Sequence, residues 1–168
     1  MEIFVALVRS YLRLVEGCDS STPRDFLGAC AVLLPQIYAE GIQLPDVELP
    51  EEPFEFAART FASPMTRIGK LLGKYDQYAE VFDPVVDREF LLTQLSDDLS
   101  DIYGDLRDPL EIYDEGGEPK RVEALWRWKF NLEGHCGDHL VDALRPIHRL
   151  VFDHLNPDYR NVPDEPAG

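Results

Sequence analysis

Apolar residues recur at intervals of three and four positions along most of this chain. In the opening segment MEIFVALVRSYLRLVE they are Phe4, Leu7, Val8, Tyr11, Leu12 and Val15, which is the spacing of one face of an α-helix. Thr22-Pro23 and Ser63-Pro64 each read as a helix start, with a capping hydroxyl followed by proline. Strand-like alternation is not evident. The pattern predicts an all-α fold, a single-domain bundle of about five to seven helices with kinks at prolines.

The 168 residues are enough for one ordinary domain that needs no disulfide or metal merely to fold. We predict a helical domain over residues 1–155 and a Pro-rich, flexible C-terminal tail over 156–168. GIQLPDVELPEEP, from Gly41 to Pro53, predicts an extended connector. PFEFAARTF after it predicts a short helix, and KYDQYAEVFDP an irregular binding loop.

The formal net charge of −16 disfavours nucleic acid and anionic membrane surfaces, and favours a protein partner with a basic surface. The chain has three cysteines, Cys18, Cys30 and Cys136, and their odd number and unpaired spacing disfavour a disulfide framework and a zinc finger. This is the cysteine content expected in a reducing cytoplasm. Glu2 precedes the first apolar run and arginines interrupt it, which argues against a targeting segment. We therefore expect a cytoplasmic protein that does not enter membranes, and the oligomeric state stays open.

One predicted helix, from about Asp87 to Arg107, carries two parallel stripes. The apolar stripe consists of Leu91, Leu92, Leu95, Leu99, Ile102 and Leu106. The polar stripe beside it consists of Gln94, Asp98, Asp101 and Asp105. Asp108-Pro109 after it resembles a fresh cap that restarts a short turn.

A long helical pattern from about Lys120 to about Leu155, interrupted or kinked at Gly134, Gly137 and Pro146, places His135 and His139 one turn apart. Two imidazoles at that spacing can face one ion, and aspartates from a facing helix can complete the shell of zinc, manganese or iron. The resulting candidate divalent metal site consists of Asp98, Asp101, Asp105, His135 and His139.

Two simpler explanations stay open for the same residues. The aspartates fit the solvated edge of a bundle helix, with salt bridges to Arg127, Lys129, Arg145 or Arg149. The histidines fit the edge of the core, each hydrogen-bonded to a carbonyl or an aspartate.

The blocks SDDLSDIYGDLRDPLEIYD and ALWRWKFNLEGHCGDHLVDALRPIH resemble the bacterial domain-of-unknown-function family 5063. The similarity extends from the first helix to about Leu155 and implies a small, cytoplasmic, helical bacterial protein without an assigned substrate. The leading hypothesis is a non-catalytic interaction module for a basic partner. The alternative is a metal-binding protein or metal-dependent enzyme, hydrolytic or oxygen-handling, in which the aspartates act as ligands or general base.

Overall fold

The computed structural model describes residues 1–48 and 61–156, which form six α-helices and confirm the all-α bundle. The helices are α1 (Glu2–Glu16), α2 (Pro23–Gly41), α3 (Met65–Leu72), α4 (Leu95–Glu115), α5 (Glu118–Gly134) and α6 (Cys136–Arg149). Short 3-10 turns cover Cys18–Ser20 and Gly73–Tyr75, and a π-helical turn, Leu150–His154, follows α6. The predicted helix PFEFAARTF, except Phe61, the end of the predicted connector and tail residues 157–168 lie outside the described residues.

Two of the helix starts follow the predicted capping residues. The Thr22 hydroxyl accepts a hydrogen bond from the Asp25 amide at 3.2 Å, and Pro23 is the first residue of α2. The Ser63 hydroxyl accepts from the Met65 amide at 3.3 Å, but α3 begins at Met65, so Pro64 precedes the helix and is not its first residue as Pro23 is in α2. Pro35 lies inside α2, which continues to Gly41.

One cluster of buried apolar residues receives side chains from all six helices. Two polar groups inside it are satisfied by backbone carbonyls of α4. The Tyr11 hydroxyl donates to the Leu99 carbonyl at 2.7 Å, and the Trp128 indole donates to the Leu106 carbonyl at 3.0 Å. Helix α4 contacts α1, α3, α5 and α6, and is therefore the central element of the bundle. Within the described residues, no helix is long and apolar enough to cross a membrane.

The expectation that strands are absent was wrong. β1 (Gln77–Glu80) and β2 (Leu91–Gln94) form an antiparallel pair in which Gln77 lies opposite Gln94. The segment predicted as an irregular loop therefore holds a strand, and α4 begins at Leu95 rather than near Asp87. Leu91 and Leu92, expected on the apolar stripe of a helix, are 45% and 70% exposed on β2.

A buried aspartate explains where α4 begins. The Asp76 carboxylate accepts hydrogen bonds from the Ser96 amide at 2.8 Å and from the Ser96 hydroxyl at 2.9 Å. The Asp76 carbonyl accepts from the Leu95 amide at 2.7 Å. Because these bonds tie the first turn of α4 to the end of the 3-10 turn, the residues just before Leu95 run beside Gln77–Glu80 and pair with them.

Helix α4 does not restart at Asp108-Pro109, as predicted, but runs through Pro109 to Glu115. A proline inside a helix has no N–H to donate to the carbonyl four residues before it, here that of Asp105. The side-chain amide of Asn131 donates to that carbonyl at 3.0 Å. The neighbouring helix α5 thus satisfies the acceptor that Pro109 leaves open.

The long C-terminal pattern is divided at His135, between the predicted positions Gly134 and Gly137. A Cβ atom at Gly137 would be 2.1 Å from the Leu132 carbonyl oxygen, so this close approach requires glycine. The break makes His135 the residue that precedes α6 and puts His139 in its first turns.

Candidate metal centre

The candidate site lies where α4 meets the beginning of α6. Asp98, Asp101 and Asp105 are three and four residues apart, so they project from one face of α4. His135 and His139 face them from the start of α6. The structure thus brings all five predicted residues together, whereas Gln94, predicted on the same stripe, lies on β2.

His139 is oriented by a buried carboxylate. Its Nδ1 lies 2.8 Å from Asp98 Oδ1, and the Asp98 side chain is only 4% exposed. An ionised carboxylate can only accept a hydrogen bond, so Nδ1 of His139 carries the hydrogen. The other ring nitrogen, Nε2, takes no part in the bond to Asp98. This hydrogen bond is the foremost cause of a raised pKa at His139.

Asp98 has a second hydrogen-bond partner in the hairpin, which consists of β1, β2 and the loop between them. The Tyr78 hydroxyl of β1 donates to Asp98 Oδ2 at 2.7 Å and also contacts Glu80 Oε2 at 3.1 Å. Burial, followed by the hydrogen bond to Asp98, raises the pKa of Tyr78. Both carboxylate oxygens of Asp98 are therefore hydrogen-bonded, as a buried carboxylate requires.

His135 is held in the same way by Asp105, the second acid after Asp98 along α4. Its Nδ1 lies 2.7 Å from Asp105 Oδ2, and the Asp105 side chain is 8% exposed although that of His135 is 56% exposed. The aspartates of the two Asp–His pairs are thus about two turns apart along α4, and the histidines are about one turn apart at the start of α6.

The two remaining ring nitrogens meet between these pairs. His135 Nε2 and His139 Nε2 are 3.2 Å apart, with the ring planes at 77°. Asp101 Oδ2 lies 3.8 Å from the first and 3.6 Å from the second. One ligand atom from each of Asp101, His135 and His139 lies within 4.8 Å of the other two, close enough for a shared ion.

Three of the four cationic side chains predicted as salt-bridge partners of these aspartates contact other acids. Arg127 pairs with Glu123 at 2.9 Å, Lys129 with Asp46, and Arg149 with Asp153 at 2.9 Å. The predicted Asp–His hydrogen bonds, in contrast, are present in both pairs.

Three further acidic or phenolic side chains border the site but were not predicted from the sequence: Tyr78, Glu80 and Asp142. Tyr78 and Glu80 lie on a strand that was not predicted, so nothing in the pattern placed them near α4. Asp142 follows His139 by three residues, a helical spacing that could have indicated it. Burial, then the nearby carboxylates of Glu80 and Asp98, raises the pKa of Asp142 to about 6.

A family model described as "Domain of unknown function (DUF5063)" matches residues 1–153. The chain belongs to this family. The match confirms the resemblance, and the DUF5063 region includes both the aspartates of α4 and the two histidines. No curated protein sequence matches the chain.

Among solved structures, this DUF5063 chain is similar to the crystal structure of protein BF1032 from Bacteroides fragilis, with a TM-score of 0.76 and 21% sequence identity. The similarity covers 95% of this chain and 94% of that one. At this level of identity the likeness shows that the two chains share a fold.

Proposed function

We propose that this protein binds one divalent transition-metal ion through His135 Nε2, His139 Nε2 and the carboxylate of Asp101. The observation that carries the proposal is the 3.2 Å separation of two Nε2 atoms whose rings are both held at Nδ1 by buried carboxylates. Asp98 and Asp105 then act as orienting partners of the ligands, because each occupies the nitrogen that does not face the ion.

The spacing of the ring nitrogens supports an ion between them. Two nitrogens each about 2.05 Å from a tetrahedral zinc ion are about 3.3 Å apart. In neutral imidazoles with Nδ1–H bonded to a carboxylate, both Nε2 atoms carry lone pairs, and lone pairs that face each other repel. A cation or a proton between them removes the repulsion, and the adjacent Asp101 carboxylate favours a cation.

The donor set favours a particular class of ion. Two imidazoles and one carboxylate suit zinc, manganese or ferrous iron better than calcium or magnesium, which prefer oxygen ligands. Three protein ligands also leave coordination positions for water or substrate, as in catalytic rather than purely structural sites. An ion here would supply Lewis-acid or oxygen chemistry, consistent with a metal-dependent hydrolase or oxygen-handling enzyme.

The test is elemental analysis of untagged protein, with titration of zinc and manganese into metal-free protein at about pH 8, where protons compete least for imidazole. We expect one ion per chain in the wild type and its loss in the His135→Ala, His139→Ala double variant. The chain offers a matched control, because His148→Ala, His154→Ala removes the other two histidines and should retain the ion. Equal metal content in both double variants, or none in the wild type, would overturn the proposal.

A second proposal, the interaction module for a basic partner, is supported by the net charge of −16. The acidic side chains between Asp97 and Glu118 fall into two groups. Asp98 and Asp105 are buried against the histidines, whereas Glu111, Asp114, Glu115 and Glu118 are exposed. Binding to immobilised polylysine should weaken steeply with salt and in a Glu115→Gln, Glu118→Gln variant, and salt-insensitive binding would contradict it.

A further inference from the structure

A cavity of about 760 Å³ separates the hairpin from the C-terminal half of α6 and the π-helical turn. Its volume is typical of small-molecule sites, which span roughly 300–1,000 Å³. The lining does not include Asp101, His135 or His139, so the cavity is distinct from the candidate metal centre.

Most of the cavity wall is apolar. The hairpin contributes Tyr78, Val81 and Phe90, and the opposite wall comes from Val141 and Leu150. Phe90 is 69% exposed, whereas phenylalanine side chains are usually buried in a protein core. An apolar group inserted between these walls would remove their surface from water, and this is the main source of affinity in such sites.

The same cavity has a cationic edge in an otherwise acidic protein. Val141, Arg145 and Arg149 are spaced by four residues, so they form one row along α6 and all three line the cavity. Lys74 lines it from the other side. The lining thus has three Lys or Arg side chains against two acids, Glu80 and Asp142, although acids outnumber bases two to one in the whole chain (32 against 16). Arg149 is already paired with Asp153 at 2.9 Å, so the head group is assigned to Arg145.

We propose that this cavity binds an amphipathic carboxylate, with its apolar chain between Phe90 and the Val141–Leu150 wall and its head group at Arg145. A guanidinium matches a carboxylate with two parallel hydrogen bonds. A single negative charge is favoured, because a polyanion would be repelled by the acidic surface around the cavity and by Glu80 and Asp142.

The test uses the full chain without metal and the probe decanoate, measured by isothermal titration calorimetry. We expect saturation at one decanoate per chain. Acetate should bind at least about a hundredfold more weakly because it lacks the apolar chain. 1-Decanol should bind about fivefold more weakly because it lacks the charge.

Matched variants separate the two halves of the proposed site. Phe90→Ser should weaken decanoate binding about fivefold, whereas Phe82→Ser, 78% exposed in the same loop but outside the lining, should change it less than about twofold. Arg145→Gln should weaken binding by about threefold to fivefold and abolish the preference for decanoate over 1-decanol. Arg13→Gln, an exposed arginine on α1, is its control.

Three results would overturn the proposal: no saturable decanoate binding by the wild type, 1-decanol binding as tightly as decanoate, or equal effects of Phe82→Ser and Phe90→Ser. Circular dichroism of each variant checks that the helices are intact. Since no metal is present, failure here is distinguishable from failure of the metal proposal.

Discussion

Two neighbouring regions around α6 depart in opposite ways from the usual distribution of residues. Where α6 begins, the carboxylates of Asp98 and Asp105 are buried, with only 3% and 7% of each residue exposed. On the hairpin, Phe82, Phe90 and Leu92 are 78%, 69% and 70% exposed. Carboxylates are ordinarily exposed and large apolar side chains buried, so both regions have an energetic cost.

The difference lies in what offsets that cost. Each buried carboxylate has hydrogen-bond donors within the chain, from His135, His139 and Tyr78. The exposed apolar side chains of the hairpin are left uncovered by residues 1–48 and 61–156, which the structure describes. The polar groups of the first region are therefore satisfied within the fold, whereas the apolar side chains of the second are in contact with water. Tyr78 belongs to both, since its ring lines the cavity and its hydroxyl binds Asp98.

The largest effect should come from removing an acceptor in the first region. Asp98→Ala leaves the Nδ1–H of His139 without its acceptor and the Tyr78 hydroxyl with only its longer contact to Glu80, and should lower the free energy of unfolding by about 2–4 kcal/mol. Urea denaturation of metal-free protein measures this. Asp97→Ala, the adjacent but less buried acid, is the control and should cost less than about 1 kcal/mol. Similar losses in both variants would mean that the hydrogen bonds of Asp98 do not stabilise the fold.

The second effect concerns the orientation of His135. Asp105→Ala frees the imidazole that Asp105 holds at Nδ1, and should weaken zinc binding about tenfold to a hundredfold in calorimetric titrations. The exposed acid Asp138, next to His139 in the sequence, tests whether charge alone is responsible. Asp138→Ala should weaken zinc binding less than about threefold, and an equal effect would show that the carboxylate does not orient the ring.

A smaller effect should appear in the pH dependence at Asp142, between the two regions. A carboxyl whose pKa is raised to about 6 in the folded state favours folding less as pH rises from the ordinary range of an aspartate through that value. Asp142→Asn removes this loss. The variant should gain up to about 1 kcal/mol over the wild type near pH 7.5, after allowance for solvent screening, and less near pH 4.5. A stability difference that does not change with pH would contradict the raised pKa.

The smallest effect is expected at the exposed end of the hairpin. Leu92→Ala should change the free energy of unfolding by less than about 0.5 kcal/mol because this side chain is already in water. Leu95→Ala, three residues later at a fully buried position, should cost about 2–4 kcal/mol in the same urea experiment. If Leu92→Ala were as costly, the Leu92 side chain would be packed in the folded protein and not exposed to water.

The helical architecture was predictable because helix-forming patterns are local. The apolar spacing of α1 and the Thr22-Pro23 start of α2 both appear as expected. The hairpin was not predictable in this way, because Leu91 and Leu92 continue the helical spacing of Leu95 and Leu99. What separates strand from helix there is the bonding of Asp76 to Ser96, twenty residues apart in the chain. Asn131 likewise supports α4 at Pro109 from another helix.

The candidate site, like the fold, could be predicted from the sequence only in part. The sequence alone determined that Asp98, Asp101 and Asp105 share a face and that His135 and His139 are one turn apart, because an α-helix has 3.6 residues per turn. Only the tertiary structure decided that Asp98 and Asp105 hold the Nδ1 atoms, that Asp101 approaches both Nε2 atoms, and that Tyr78 joins them. Hydrogen-bond partners depend on separations of a few tenths of an ångström between helices, and these are set by the packing of the whole core.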